Sequence, residues 1–129
     1  MNGSFLVDTN IVIAYFNKDI LIGECFDNLG ALFVPSIVIG ELYFGAVKSR
    51  NRFQNISMID KFVSQNIILN CDIDTAREFG EIKYQLQLKG KPIPENDIWI
   101  AAIAKQHQLR LVTRDEHFRL IESIEIENW

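Results

Sequence analysis

Short apolar runs alternate along this chain with longer stretches in which bulky residues recur at helical spacing. SFLVD reads as a buried strand, and TNIVIAYF behind it as a helix opening on a polar residue. ALFVP, IILN, LRLVT and IEIEN read as four more strands, the first stopped by Pro35 and the last at a sheet edge. Between them SIVIGELYFGAVKS, RFQNISMIDKFVSQN, TAREFGEIKYQLQLKG and NDIWIAAIAKQHQ read as helices. Asp74 is expected to cap the third of these helices and Gly90 to end it, with Pro92 and Pro94 separating it from the fourth. DEHFRLI reads as a short helical or irregular piece, and internal repeats are absent.

Strands this short, alternating with helices, pair in parallel through crossover connections. The fold class predicted is therefore α/β: a three-layer α/β/α sandwich around a mainly parallel sheet of about five strands. At 129 residues the chain is expected to form a single domain, 1–129, because a chain of this size buries roughly two-thirds of its unfolded surface in one core. An apolar fraction of 48% excludes a disordered chain. No apolar run is long enough to span a membrane, and no basic segment precedes the first one, so a cytoplasmic location without membrane attachment is expected. Cys25 and Cys71 have no CxxC spacing and read as small hydrophobes. The formal charge of −4 disfavours a broad basic platform for nucleic acid, but not a small site that grips phosphate through bound cations.

Ligand sites of open parallel sheets collect beyond the carboxyl ends of the strands. Asp8 directly follows FLV, and only Thr113 and Arg114 separate Asp115 from LRLV, so both carboxylates belong on that rim. Asp97 stands in the first turn of its helix, where a carboxylate also favours the helix dipole, and reaches the rim only if the preceding connection brings it there. Glu41 has Ile37, Val38 and Phe44 as its helical neighbours, and a carboxylate on an apolar face is costly unless paired or bound to metal. Bare charges about 4 Å apart repel by about 4 kcal/mol per pair at an effective dielectric near 20. Convergence of the four acids would thus require protons or cations, and oxygen donors suit Mg²⁺ or Mn²⁺ better than zinc.

The neighbours of the acids extend the site. Thr113 offers a rim hydroxyl and Asn10 a polar side chain, either as helpers in chemistry or as caps of the following turns. Lys48, Arg50 and Arg52 cluster near the end of one helix and Arg114 adjoins Asp115; these are candidate phosphate contacts. Trp99 reads as core or interface and His107 as a surface or packing residue, while substrate contact is the minor reading for His117. Paired metals would orient a phosphodiester and activate water for in-line hydrolysis without a covalent protein intermediate. No GxxxxGKS/T or GxGxxG loop is present, and no serine has a nucleophile-elbow context. A receiver-like switch phosphorylated on Asp8 stays open as an alternative, although LVDTN lacks the second acid that aspartate-based phosphatases use.

FLVDTNIVIAYF, IVIGELYFGAVKSRNR, FGEIKYQLQLKGKPIPENDIWIAA and LVTRDEHF resemble the PIN-domain nucleases, and among them the VapC-type toxin ribonucleases of bacterial toxin–antitoxin pairs. The resemblance covers nearly the whole chain. Its motif acids match Asp8, Glu41, Asp97 and Asp115, Thr113 matches the rim hydroxyl, and Asn10 matches the polar residue after the first Asp-Thr. It implies a Mg²⁺- or Mn²⁺-dependent endoribonuclease acting on RNA such as tRNA or rRNA, a homodimer, and a cognate antitoxin that blocks the site. GKPIPENDIWIAA and IEIENW are similar to members that cleave initiator tRNA. IVIGELYFGAV is read in two ways that the sequence leaves open: divided between core contacts and an exposed groove for an antitoxin helix or strand, or wholly buried within the monomer. The main rival is a non-catalytic RNA- or protein-binding module of the same fold.

Overall fold

The computed structural model describes residues 4–129. Strands β1 (Phe5–Val7), β2 (Phe33–Pro35), β3 (Ile67–Leu69), β4 (Arg110–Val112) and β5 (Ile126–Glu127) form one sheet in the order β3-β2-β1-β4-β5. Every pairing is parallel, with Leu6 opposite Phe33 on one side and Leu111 on the other. Helices α1 (Thr9–Phe16), α2 (Ile20–Leu29), α3 (Ser36–Val47), α4 (Arg52–Gln65), α5 (Ile73–Lys89) and α6 (Glu95–His107) flank this sheet as a three-layer sandwich. A 3-10 helix, Glu116–Leu120, follows β4. The chain builds outward from β1 to β3 and then returns to place β4 on the other side of β1. That reversal opens a crevice at the carboxyl edge between β1 and β4.

Strands buried on both faces carry continuous apolar residues in place of an alternating pattern. Leu6 and Val7 of β1, Val34 of β2, and Leu111 and Val112 of β4 are all fully buried. Helix α6 is buried on several sides, from Ile98 through Ala104, so its sequence shows no narrow apolar stripe. In α3, Val38, Ile39, Leu42 and Ala46 enter the core while Phe44 and Val47 are exposed, so the segment is not wholly buried. Trp99 stacks on Phe79 with ring centroids 4.0 Å apart, which makes it packing between α5 and α6.

Two local expectations need correction. Helix α2 was absent from the sequence-based pattern; Asp19 starts it by accepting the Ile22 N–H at 3.2 Å. The cap of α5 is Asp72, not Asp74: the Asp72 carboxylate accepts the N–H groups of Asp74 and Thr75 at 3.0 Å, and Thr75 completes the capping box. Asp74 stands inside the first turn and pairs with Arg77. The reason is that Ile73, the first helical residue, is 71% exposed and adds nothing to the apolar period.

Candidate active site

Asp8 ends β1 and caps α1 at once. Its backbone N–H continues the ladder to the Val112 carbonyl at 3.0 Å, and its Oδ1 accepts the Thr9 N–H at 2.8 Å. Its other oxygen accepts the Thr113 hydroxyl at 2.7 Å, so the ends of the two central strands are joined through side chains as well as backbone. Thr113 Oγ1 in turn accepts the Asp115 N–H at 3.0 Å and a weaker 3.4 Å contact from Asn10 Nδ2. Asn10 reaches the same loop from the other side, its Oδ1 accepting the Arg114 N–H at 3.3 Å. Asp8 and Thr113 are only 5% and 2% exposed. Asp8 is therefore an ionisable group in a place where charge is expensive.

The remaining acids arrive from three further elements. Glu41 comes from α3, held by the Thr9 hydroxyl and by Asn96 Nδ2 at 3.4 Å. Its surroundings are less apolar than the sequence suggested, because neighbouring Phe44 is 67% exposed and Gly40 and Gly45 leave open space. Asp97 occupies the first turn of α6 behind Pro94, whose extended backbone (φ −57°, ψ 143°) carries the chain to the rim. Asp115 immediately precedes the 3-10 helix, which the fully buried Phe118 anchors in the core. All four acids line one open cavity of about 540 Å³, together with Thr9 and Asn10.

His117 has a larger place in this geometry than the sequence suggested. Its Nε2 lies 2.6 Å from Asp97 Oδ2 and its Nδ1 2.8 Å from Asp115 Oδ1. The ring thus bridges the start of α6 to the loop after β4, with one ligand atom each of Asp97, Asp115 and His117 within 4.8 Å of one another. The DEHF spacing is the available signal: a histidine two residues past a rim acid turns back toward it on a 3-10 helix.

Electrostatics follow from burial and like charge. Burial lifts the Asp8 carboxyl to about 6, hydrogen bonds from Thr113 and Thr9 hold it down, and the charges of Asp97 and Glu41 push it up again. Asp97 is raised above the ordinary carboxylate range, first by burial; the hydrogen bond and charge of His117 oppose this, and Asp115 and Glu41 add repulsion. Oxygen donors this close, with one of them strained by burial, match the coordination demand of a hard divalent cation.

The candidate phosphate contacts divide. Lys48, Arg50 and Arg52 are exposed, with Lys48 Nζ 4.5 Å above the Phe44 ring. Arg114 is engaged by the protein itself: its guanidinium donates to the Trp129 carbonyl at 3.0 Å and to Asp19 at 3.2 Å. His107 is exposed at the end of α6.

Fold and site together define an open parallel α/β protein with a carboxylate cluster at its switch-point crevice, and the PIN domain model matches residues 5–123. The chain belongs to the PIN-domain family and is a homologue of the VapC-type toxins. It is 39% identical over 128 residues to the Ribonuclease VapC2 of Haemophilus influenzae, covering 97% of each chain. It is 33% identical over 128 residues, again 97% of each chain, to the tRNA(fMet)-specific endonuclease VapC of Shigella flexneri. A chain of the crystal structure of DNA-bound VapBC from Salmonella typhimurium superposes with a TM-score of 0.93 at 32% identity, over 100% of this chain and 99% of that one.

Proposed function

We propose that this protein is a metal-dependent endoribonuclease, the toxin of a toxin–antitoxin pair. The observation that carries this reading is the meeting of Asp8, Glu41, Asp97 and Asp115, from four separate elements, on one cavity with Asp8 buried. A cluster of that charge needs a counter-cation, and its donors fit Mg²⁺ or Mn²⁺, which these four acids would hold. When bound, such an ion supplies Lewis acidity toward a phosphodiester and a lowered pKa for an attacking water.

The protein's own residues then have separate tasks. Thr113 orients Asp8 by donating to its Oδ2, and Thr9 and Asn96 orient Glu41. Asn10 fixes the loop bearing Arg114 and Asp115. Lys48 caps the end of α3 seven residues beyond Glu41, about 10 Å along the axis; with Arg50 and Arg52 it forms an exposed basic track suited to flanking phosphates, and Arg114 would join it only by leaving its protein partners.

The RNA class favoured is tRNA, since the Shigella relative is named for that activity. An antitoxin partner follows the Salmonella complex; the exposed Phe44 and Val47 on α3 offer apolar surface for it, and a homodimer is the expected assembly. No described helix is long and apolar enough to cross a membrane, which accords with action in the cytoplasm, where tRNA is found.

The test is strand cleavage of a mixed tRNA and rRNA pool by antitoxin-free protein with Mg²⁺, Mn²⁺ or chelator, beside an Asp97→Asn protein prepared identically. Cleavage that requires the metal and is lost in the variant is the expected result. RNA binding without cleavage by folded, metal-supplied protein would favour the non-catalytic module. Cleavage that survives both chelation and substitution would indicate a contaminating nuclease.

A further inference from the structure

We propose that His117 is a positioning residue that braces the metal-binding carboxylates, setting the separation of Asp97 and Asp115 before a cation arrives. This inference rests on the metal-site reading above but concerns a different property, the cost of assembling the site. Asp97 and Asp115 come from elements that pack into the protein independently, the start of α6 and the loop after β4. Like charge drives these two carboxylates apart, with Asp115 among the charges that raise Asp97. No hydrogen bond joins the two acids directly among the described residues; the link between them is the imidazole, through contacts of 2.6 and 2.8 Å.

Each carboxylate contributes one oxygen to the ring, Oδ2 from Asp97 and Oδ1 from Asp115. Among the described residues neither second oxygen has a side-chain partner, so each is free to serve as a ligand while the brace is in place. The ring is itself fixed. It sits in the 3-10 helix beside the fully buried Phe118, with the two ring centroids 5.1 Å apart, and is largely shielded from solvent. A side chain with both polar atoms committed to carboxylates acts through them and does not itself meet a ligand. Partners of this kind, which orient metal-binding side chains, typically alter metal affinity by about 10- to 100-fold when removed.

The experiment compares wild type, His117→Phe and His117→Gln. Phenylalanine keeps a ring against Phe118 and removes both polar contacts, whereas the glutamine amide retains N–H donors able to reach a carboxylate. Mn²⁺ affinity is measured calorimetrically on the full-length, antitoxin-free chain, and the unfolding midpoint is measured in chelator. Expected is a loss in Mn²⁺ affinity of about 10- to 100-fold in His117→Phe, partly restored in His117→Gln. A residue with only a packing role would shift the chelated midpoint and leave the affinity of the folded protein alone.

Equal or tighter Mn²⁺ binding by folded His117→Phe overturns the brace while leaving the nuclease reading intact. Failure of wild type to bind Mn²⁺ overturns the metal-site reading and the brace with it. Should His117→Phe not fold, His117→Gln decides, since wild-type affinity together with an unchanged Asp97 and Asp115 environment by NMR supports retention of the brace, and wild-type affinity with that environment altered overturns it.

Discussion

Replacing Asp8 with asparagine should stabilise this protein at neutral pH when no divalent metal is supplied. Asp8 is 5% exposed and its carboxyl is lifted from an ordinary value near 3.8 to about 6, mainly by burial. A carboxyl raised in the folded state favours folding while protonated. Its contribution is fully present below about 3.8 and is lost as pH rises through about 6. The whole span corresponds to about 3 kcal/mol, of which about 2 kcal/mol falls between pH 4.5 and 7.5. Asparagine carries no such penalty, but its amide must donate to a Thr113 hydroxyl that already accepts from Asp115 and Asn10, costing about 1 kcal/mol. In chelator at pH 7.5 the variant should therefore exceed wild type by about 1 to 2 kcal/mol in urea unfolding, and the advantage should shrink toward pH 4.5. Other titrating groups are common to both chains and largely cancel in the difference. Parallel stability–pH profiles for the two proteins would refute the argument, because the buried charge would then have no energetic consequence.

Two further expectations concern the scaffold and the basic track. Phe118→Ala should destabilise the fold by about 3 to 5 kcal/mol in chemical denaturation, since this fully buried ring anchors the turn that carries Asp115 and His117. Arg52→Ala should lower the slope of log affinity against log salt for RNA by about one, whereas Arg114→Ala should leave that slope unchanged and cost less than about 1 kcal/mol of stability, its guanidinium being committed to Asp19 and the Trp129 carbonyl.

The parallel sheet was legible because β1, β2 and β3 are short unbroken apolar runs and β4 ends in one, and the position of Asp8 and Asp115 follows from standing beyond the ends of β1 and β4. The arrival of Asp97 at the same rim was an assumption in the sequence, since nothing local fixes the direction of the segment Pro92 to Pro94; the structure brings it there. Helix α2 escaped notice although Ile22 and Phe26 stand one helical turn apart, because Ile20 and Leu21, both exposed in the structure, merge with them into a short apolar run in the sequence. The surroundings of Glu41 were misjudged for a related reason: spacing names the neighbours on a helix but not which of them turn to solvent, as Phe44 does. The bridging position of His117 depends on a contact across two elements, which no single stretch of sequence records.

The order in which the strands join the sheet has a consequence for synthesis. During translation β1 can pair with β2 early, but its other edge waits for β4, which begins only at Arg110. Until then the backbone partner of Asp8, the Val112 carbonyl, and the side-chain partner, Thr113, do not exist. A nascent or truncated chain ending before β4 carries Asp8, Glu41 and Asp97 without the strand that forms the other side of the crevice or the loop that supplies the fourth acid. Interrupted synthesis thus yields fragments with an incomplete acid cluster, and the four carboxylates can gather on one cavity only once Asp115 has been made.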